Sequence, residues 1–146
     1  MFEWQGPYVV KESTLNLKYQ NKKIANFLIK KRKMDIKPTK GFHFDKEMEW
    51  ETVNPKLRRK IHGYDDKIMM VVADFQDGGI GEMHKHHHSQ VTFVQSGEFE
   101  MTIGDEVRTI KAGDSFYVLP HVMHGCTCTK AGQLVDVFSP AREDFL

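Results

Sequence analysis

Residues 81–97, GEMHKHHHSQVTFVQSG, decide how this chain reads. Four of its eight histidines, His84, His86, His87 and His88, fall within five consecutive positions there. An apolar run with strand character, Val91-Thr92-Phe93-Val94, follows at once. Imidazole nitrogen is the commonest protein ligand for borderline divalent metals. Two histidines spaced i, i+2 on a strand point to the same face, so His84 and His86 are placed to grip one ion. A turn after His86 would break strand parity, so spacing alone leaves His88 as a rival ligand. His87 is expected on the solvent side.

Outward from this stretch, the chain from Glu49 reads as short strands divided by turns. The predicted strands are 49–53, 57–63, 67–75, 80–86, 90–96, 98–103, 106–111, 115–119, 124–129 and 133–138. Asp77-Gly78-Gly79, Ser96-Gly97, Gly104-Asp105 and Gly113-Asp114 supply turn chemistry between them. Many short strands at regular spacing, with little helix, predict an all-β sandwich or barrel. Residues 68–73, IMMVVA, are continuously apolar, as in a strand buried on both faces.

At 146 residues the chain has the length of one domain with a proper core. A net charge of +1 makes no global case for nucleic acid as a partner. The charge is unevenly spread: residues 1–44 hold ten Lys/Arg against three Asp/Glu, and residues 45–146 hold eleven against seventeen. This shift predicts a basic N-terminal extension, 1–44, before a mildly acidic domain, 45–146. In the extension Trp4, Tyr8, Val9 and Val10 suit a strand, as do the alternating Leu15, Leu17 and Tyr19. Ile24, Phe27 and Leu28 have helical spacing, and Lys30-Lys31-Arg32-Lys33 reads as a solvated helix end. No nucleic-acid motif accompanies that basic run. No run is long enough to span a membrane, and the start, MFEWQGPYVV, lacks the pattern of a secretory signal. With Cys126 and Cys128 read as free thiols, a cytoplasmic location is expected.

The spacing of the candidate ligands carries a resemblance. His84-x-His86 is followed after three residues by Gln90 and after six more by Gly97. Further on come Gly113-Asp114, the strand Ser115-Phe116-Tyr117-Val118, Leu119-Pro120 and finally His124. This order resembles the two-part signature of the cupin superfamily, whose ligands meet inside a double-stranded β-barrel, or jelly roll. Trp50-Glu51-Thr52-Val53, residues 58–66 (RRKIHGYDD) and residues 135–145 (VDVFSPAREDF) further resemble the KdgF-type pectin-degradation cupins. So does the order His84-x-His86-x-His88-x-Gln90. That resemblance implies metal ligands at His84, His86, Gln90 and His124, holding nickel, zinc, manganese or iron. It implies functional roles for Asp136, Phe138 and Arg142. The implied reaction opens the ring of 4,5-unsaturated uronates, a small sugar-acid substrate, and the implied assembly is a homodimer. Leu119-Pro120 stands where the family usually has two prolines, and the basic extension is not part of its pattern.

The residues themselves bear on these roles. Gln90 stands where most cupins carry glutamate, so three imidazoles and an amide leave a divalent ion its full charge, a strong Lewis acid. Alternation puts Leu134, Asp136 and Phe138 on one strand face. A carboxylate there needs a partner or a task; Asp136 is either an acid/base or a group satisfied at a strand end. Arg142 suits a substrate carboxylate, or a surface pair with Glu143 or Asp144. Phe138 without the family pattern reads as core. The resemblance makes His88 either a group supporting the ligands or one facing the substrate; Tyr117 is expected to face the substrate, with Phe93 and Tyr117 in the barrel wall. His121, in the loop before His124, reads as an exposed loop histidine, with the cavity mouth as the other placement; His43 and His62 read as incidental. A small cupin dioxygenase and a non-catalytic sugar-binding or sensing cupin are the alternatives.

Overall fold

The computed structural model describes residues 36–146. The strands and helix expected within the first 35 residues, and the Lys30–Lys33 run, lie outside the described residues. Ten strands follow: β1 (Glu51–Asn54), β2 (Leu57–Tyr64), β3 (Met69–Phe75), β4 (Ile80–His84), β5 (Ser89–Val94), β6 (Glu98–Ile103), β7 (Glu106–Lys111), β8 (Ser115–Val118), β9 (His124–Lys130) and β10 (Gly132–Ser139). Among the described residues there is no α-helix, only 3-10 turns at Asp45–Glu47 and Glu143–Phe145.

The strands form two antiparallel sheets. One runs β1-β2-β3-β10-β5-β8, the other β4-β9-β6-β7. Alternation decides what lies between them. Gln90, Thr92 and Val94 of β5 are buried while Val91 and Phe93 are half-exposed. In β10, Leu134 and Phe138 turn inward with Asp136 between them, across from Met69, Val71 and Ala73 of β3. Phe75 meets Phe99 edge-on, with centroids 5.4 Å apart, and with Val94, Cys128 and Leu134 they form one core cluster. Met69, Val71, Phe138 and Ala141 form a second, against which Ile36, Ile61, Tyr64 and Phe145 pack.

The run 68–73 departs from expectation. Met69 and Val71 are buried, Met70 and Val72 are partly open, and Ile68 is half-exposed before the strand begins. The strand buries only its inward face fully, because β3 belongs to a sheet with an outside. Residues 36–44 run along β2: besides Ile36, Thr39 donates its N–H to the Tyr64 carbonyl and accepts from the Tyr64 N–H.

The sheets close on each other where β5 hands over to β6. Gly97 has φ +83°, and a Cβ on Gly132 would lie 2.1 Å from the Ser96 carbonyl oxygen. Only glycine lets these two backbones touch. Residues of both sheets line a cavity of about 270 Å³.

Candidate metal centre

The site forms where β4 and β9 of the smaller sheet face β5 and β10 of the larger. His84 and His124 pair across β4 and β9, and their rings stand 4.3 Å apart. Gln90 reaches in from β5. His86 arrives differently from the expected route. β4 ends at His84, so His86 sits in the following loop and not on the strand. Its backbone is fixed instead by the N–H of His121, which donates to the His86 carbonyl at 2.7 Å. His121 adopts φ +66° to do so, a conformation uncommon outside glycine. The residue read as an exposed loop histidine thus holds the loop of a candidate ligand through its main chain.

The ring orientations follow from carbonyls. Nδ1 of His84 lies 2.8 Å from the Glu82 carbonyl, Nδ1 of His86 3.1 Å from that of His88, and Nδ1 of His124 2.9 Å from that of Val122. A carbonyl only accepts, so each Nδ1 carries the proton and each Nε2 offers a lone pair. The Nε2 atoms of His86 and His124 lie 3.1 and 3.2 Å from Oε1 of Gln90. The amide cannot turn freely, because its nitrogen donates to Thr92 Oγ1 and to Asp136 Oδ1, both at 3.0 Å. Lone pairs therefore converge with no proton among them. A donor set of this kind fits a divalent cation and little else. Ligand atoms of His84, His86 and His124 all fall within 4.8 Å of one another.

Electrostatics agree with that use. Burial, helped by the Arg142 charge, holds His86 down to about 4. Burial also lowers His124. Both rings stay neutral, as ligands must. Asp136 accepts from the Gln90 amide and lines the cavity. Thr92 Oγ1 donates to its Oδ1 at 2.5 Å. Burial pushes its carboxyl up, although the Thr92 and Gln90 bonds and the Arg142 charge oppose this. A carboxyl so placed can both hold and release a proton. Cys126 also lines the cavity, its thiol pushed up to about 12 by burial, so it serves as neutral wall.

Arg142 is 7% exposed, and its guanidinium lies over the rings of Phe138 and Phe145 at 5.3 and 4.2 Å. Of the two surface partners considered for it, Asp144 is taken, through Nε and Nη2 at 2.9 and 2.7 Å. Phe138 is buried edge-on against His86, with centroids 5.7 Å apart. His88 does not reach the cavity: it is 2% exposed, and its Nε2 meets Glu143 Oε2 at 2.8 Å. His87 stacks beside it, 3.8 Å between centroids. Together they tie the ligand loop to the tail that carries Arg142. Tyr117 needs correction too. It pairs with Val91 on the outward parity of β8, is half-exposed, and bonds Ser89; Phe116, its neighbour, lines the cavity instead. Sequence reading overlooked Thr92, Glu143, Phe145 and Arg59. Arg59 had a visible signal, since it alternates with Leu57 and Ile61 on an inward face.

A closed two-sheet barrel with three imidazoles and an amide turned inward is the cupin kind of protein. A family profile described as Cupin domain matches residues 71–138. The chain is 40% identical over 107 residues to the pectin degradation protein KdgF of Dickeya dadantii, covering 72% of this chain and 97% of that one. Among solved structures, it resembles an RmlC-like cupin from Shewanella frigidimarina, with a TM-score of 0.73 and 41% identity over 75% of this chain and 98% of that one. It also resembles KdgF from a Halomonas species, with a TM-score of 0.70 and 36% identity over 74% and 100%. The chain belongs to the KdgF family of cupins.

Proposed function

We propose that the protein is a metal-dependent enzyme of pectin or alginate breakdown that opens the ring of a 4,5-unsaturated uronate and yields its linear keto form. The observation that carries this reading is one cavity holding a cation-ready donor set, a carboxyl with a raised pKa and a guanidinium, in a relative of KdgF. His84, His86, His124 and Gln90 would hold the ion. The chemistry it supplies when bound is a fixed positive charge and Lewis acidity toward a sugar oxygen. Arg142 orients the substrate through its carboxylate. Its Nη1 makes no bond to the protein among the described residues, so an edge remains free for this. Asp136 takes the proton from the sugar's anomeric hydroxyl as the bond between C1 and the ring oxygen breaks, and that proton is delivered to C4 as the resulting C5 enol becomes a ketone. Atoms and electrons balance without an oxidant, which separates this reading from a dioxygenase. Phe138 shields the site from bulk water and braces His86.

The same proposal includes a homodimer, a cytoplasmic location and a division into a basic extension, residues 1–44, and a domain, residues 45–146, with residues 36–44 of the extension lying along β2. Half-exposed Val91, Phe93 and Tyr117 give the larger sheet an apolar outer stripe that a second copy can cover. The test of function is the ultraviolet absorbance of unsaturated galacturonate. Metal-loaded protein should hasten its decay well beyond buffer, and the Asp136→Asn variant should not; equal rates with metal bound would refute the reading.

A further inference from the structure

We infer that Arg59 is a second anion-binding side chain of the cavity, acting with Arg142, beside the same Phe145 ring, on the carboxylate of the substrate. This rests on the uronate reading above. Arg59 lies on β2, in the inward parity with Leu57 and Ile61, and lines the cavity. Its guanidinium stands 3.8 Å from the Phe145 ring centre, and that of Arg142 stands 4.2 Å from the same centre. One aromatic ring therefore gathers two cations at the cavity. Such stacking orients a guanidinium plane and leaves its edge to bind.

The two arginines are bonded alike. Arg59 gives Nε and Nη2 to Glu51, at 2.8 and 2.9 Å, as Arg142 gives Nε and Nη2 to Asp144. In both, Nη1 has no protein partner among the described residues. Both carboxylate partners are 55% exposed, whereas the Arg59 side chain is only 17% exposed. Pairs with such open carboxylates contribute little stability. Holding a cation in a cavity that Val71, Phe75 and Leu134 also line has a desolvation cost that a surface staple does not require. A sugar acid entering the cavity meets two guanidinium edges with free N–H groups and only weakly held competitors. Glu82 and Asp136 are the other carboxylates of the lining; Asp136 is already engaged by Thr92 and Gln90.

The experiment compares metal-loaded wild type, Arg59→Ala, Arg59→Lys and Glu51→Gln, each checked for metal content and melting temperature. Two readouts are used: the KM and kcat for unsaturated galacturonate, and calorimetric titration with D-galacturonate against D-galactose. Arg59→Ala should raise KM about 10–100-fold, the effect of losing a charge-assisted hydrogen bond, with kcat within about threefold. Arg59→Lys, which keeps charge but loses the fork, should fall between. Glu51→Gln should leave KM unchanged or lower it, since it frees the guanidinium. An unaltered KM in Arg59→Ala, or a Glu51→Gln variant as impaired as Arg59→Ala, would show a structural staple and overturn the inference while the uronate reading stands. If wild type lacks turnover but binds galacturonate in an Arg59-dependent way, the anion site holds and the reaction does not. Neither turnover nor galacturonate binding by wild type would remove both.

Discussion

Thr92 shows how much one side chain can set. It has no exposed surface, accepts from the Gln90 amide and donates to Asp136. Those two bonds, with the one Gln90 gives directly to Asp136, turn the oxygen of Gln90, not its nitrogen, toward His86 and His124. Thr92→Val keeps the shape and removes both bonds. It should weaken metal affinity roughly 10–100-fold, the usual cost of losing a group that orients a ligand, with little change in fold; metal titration by calorimetry reads this directly. The histidines make a pH prediction. His86 is held at about 4 by burial and by the nearby Arg142 charge, against roughly 6.5 in an unfolded chain. Between those values the unfolded chain binds a proton that the folded metal-free chain refuses, so stability rises with pH across this window. Melting of the metal-free protein should therefore fall as pH drops from about 6.5 toward 4. In His86→Gln the dependence should be visibly shallower.

At the scale of elements, the sheets are fixed by close backbone contact and the tail by side chains. A methyl on Gly132 would lie 2.5 Å from the Gly97 Cα as well as against Ser96. Gly132→Ala should cost roughly 3 kcal/mol, in the manner of overpacked cores, measured by denaturant unfolding. The ten strands were legible because alternation and Gly-Asp turns are local signals. Residues 98–103, for instance, were read as a strand bounded by Ser96-Gly97 and Gly104-Asp105, and β6 has those bounds. The path of His86 was not legible: β4 stops two residues early, and the loop beyond it is shaped by His121, thirty-five positions away in sequence. The same limit applies to His88. Its partner, Glu143, comes from the far end of the chain, and nothing local to the histidine cluster points to it. Tyr117 was misplaced for a simpler reason. Wall residues of a barrel face either way, and only the pairing of Val91 with Tyr117 settles which.

For the molecule as a whole, the two sheets bring together groups from β2, β4, β5, β9, β10 and the tail, and the chemistry exists only at their meeting. The motif order brought out the candidate ligands because His84, His86, Gln90 and His124 stand at fixed spacings in the order the family uses. The cation pair around Phe145 stayed hidden because Arg59 precedes Phe145 by most of the barrel. The most direct measurement is anomalous scattering from crystals of the protein loaded with one divalent ion. The account predicts a peak bound by Nε2 of His84, His86 and His124 and by Oε1 of Gln90, at roughly 2.0–2.2 Å. A peak held instead by His87, His88 and Glu143, or one reached through Nδ1 atoms, would contradict it.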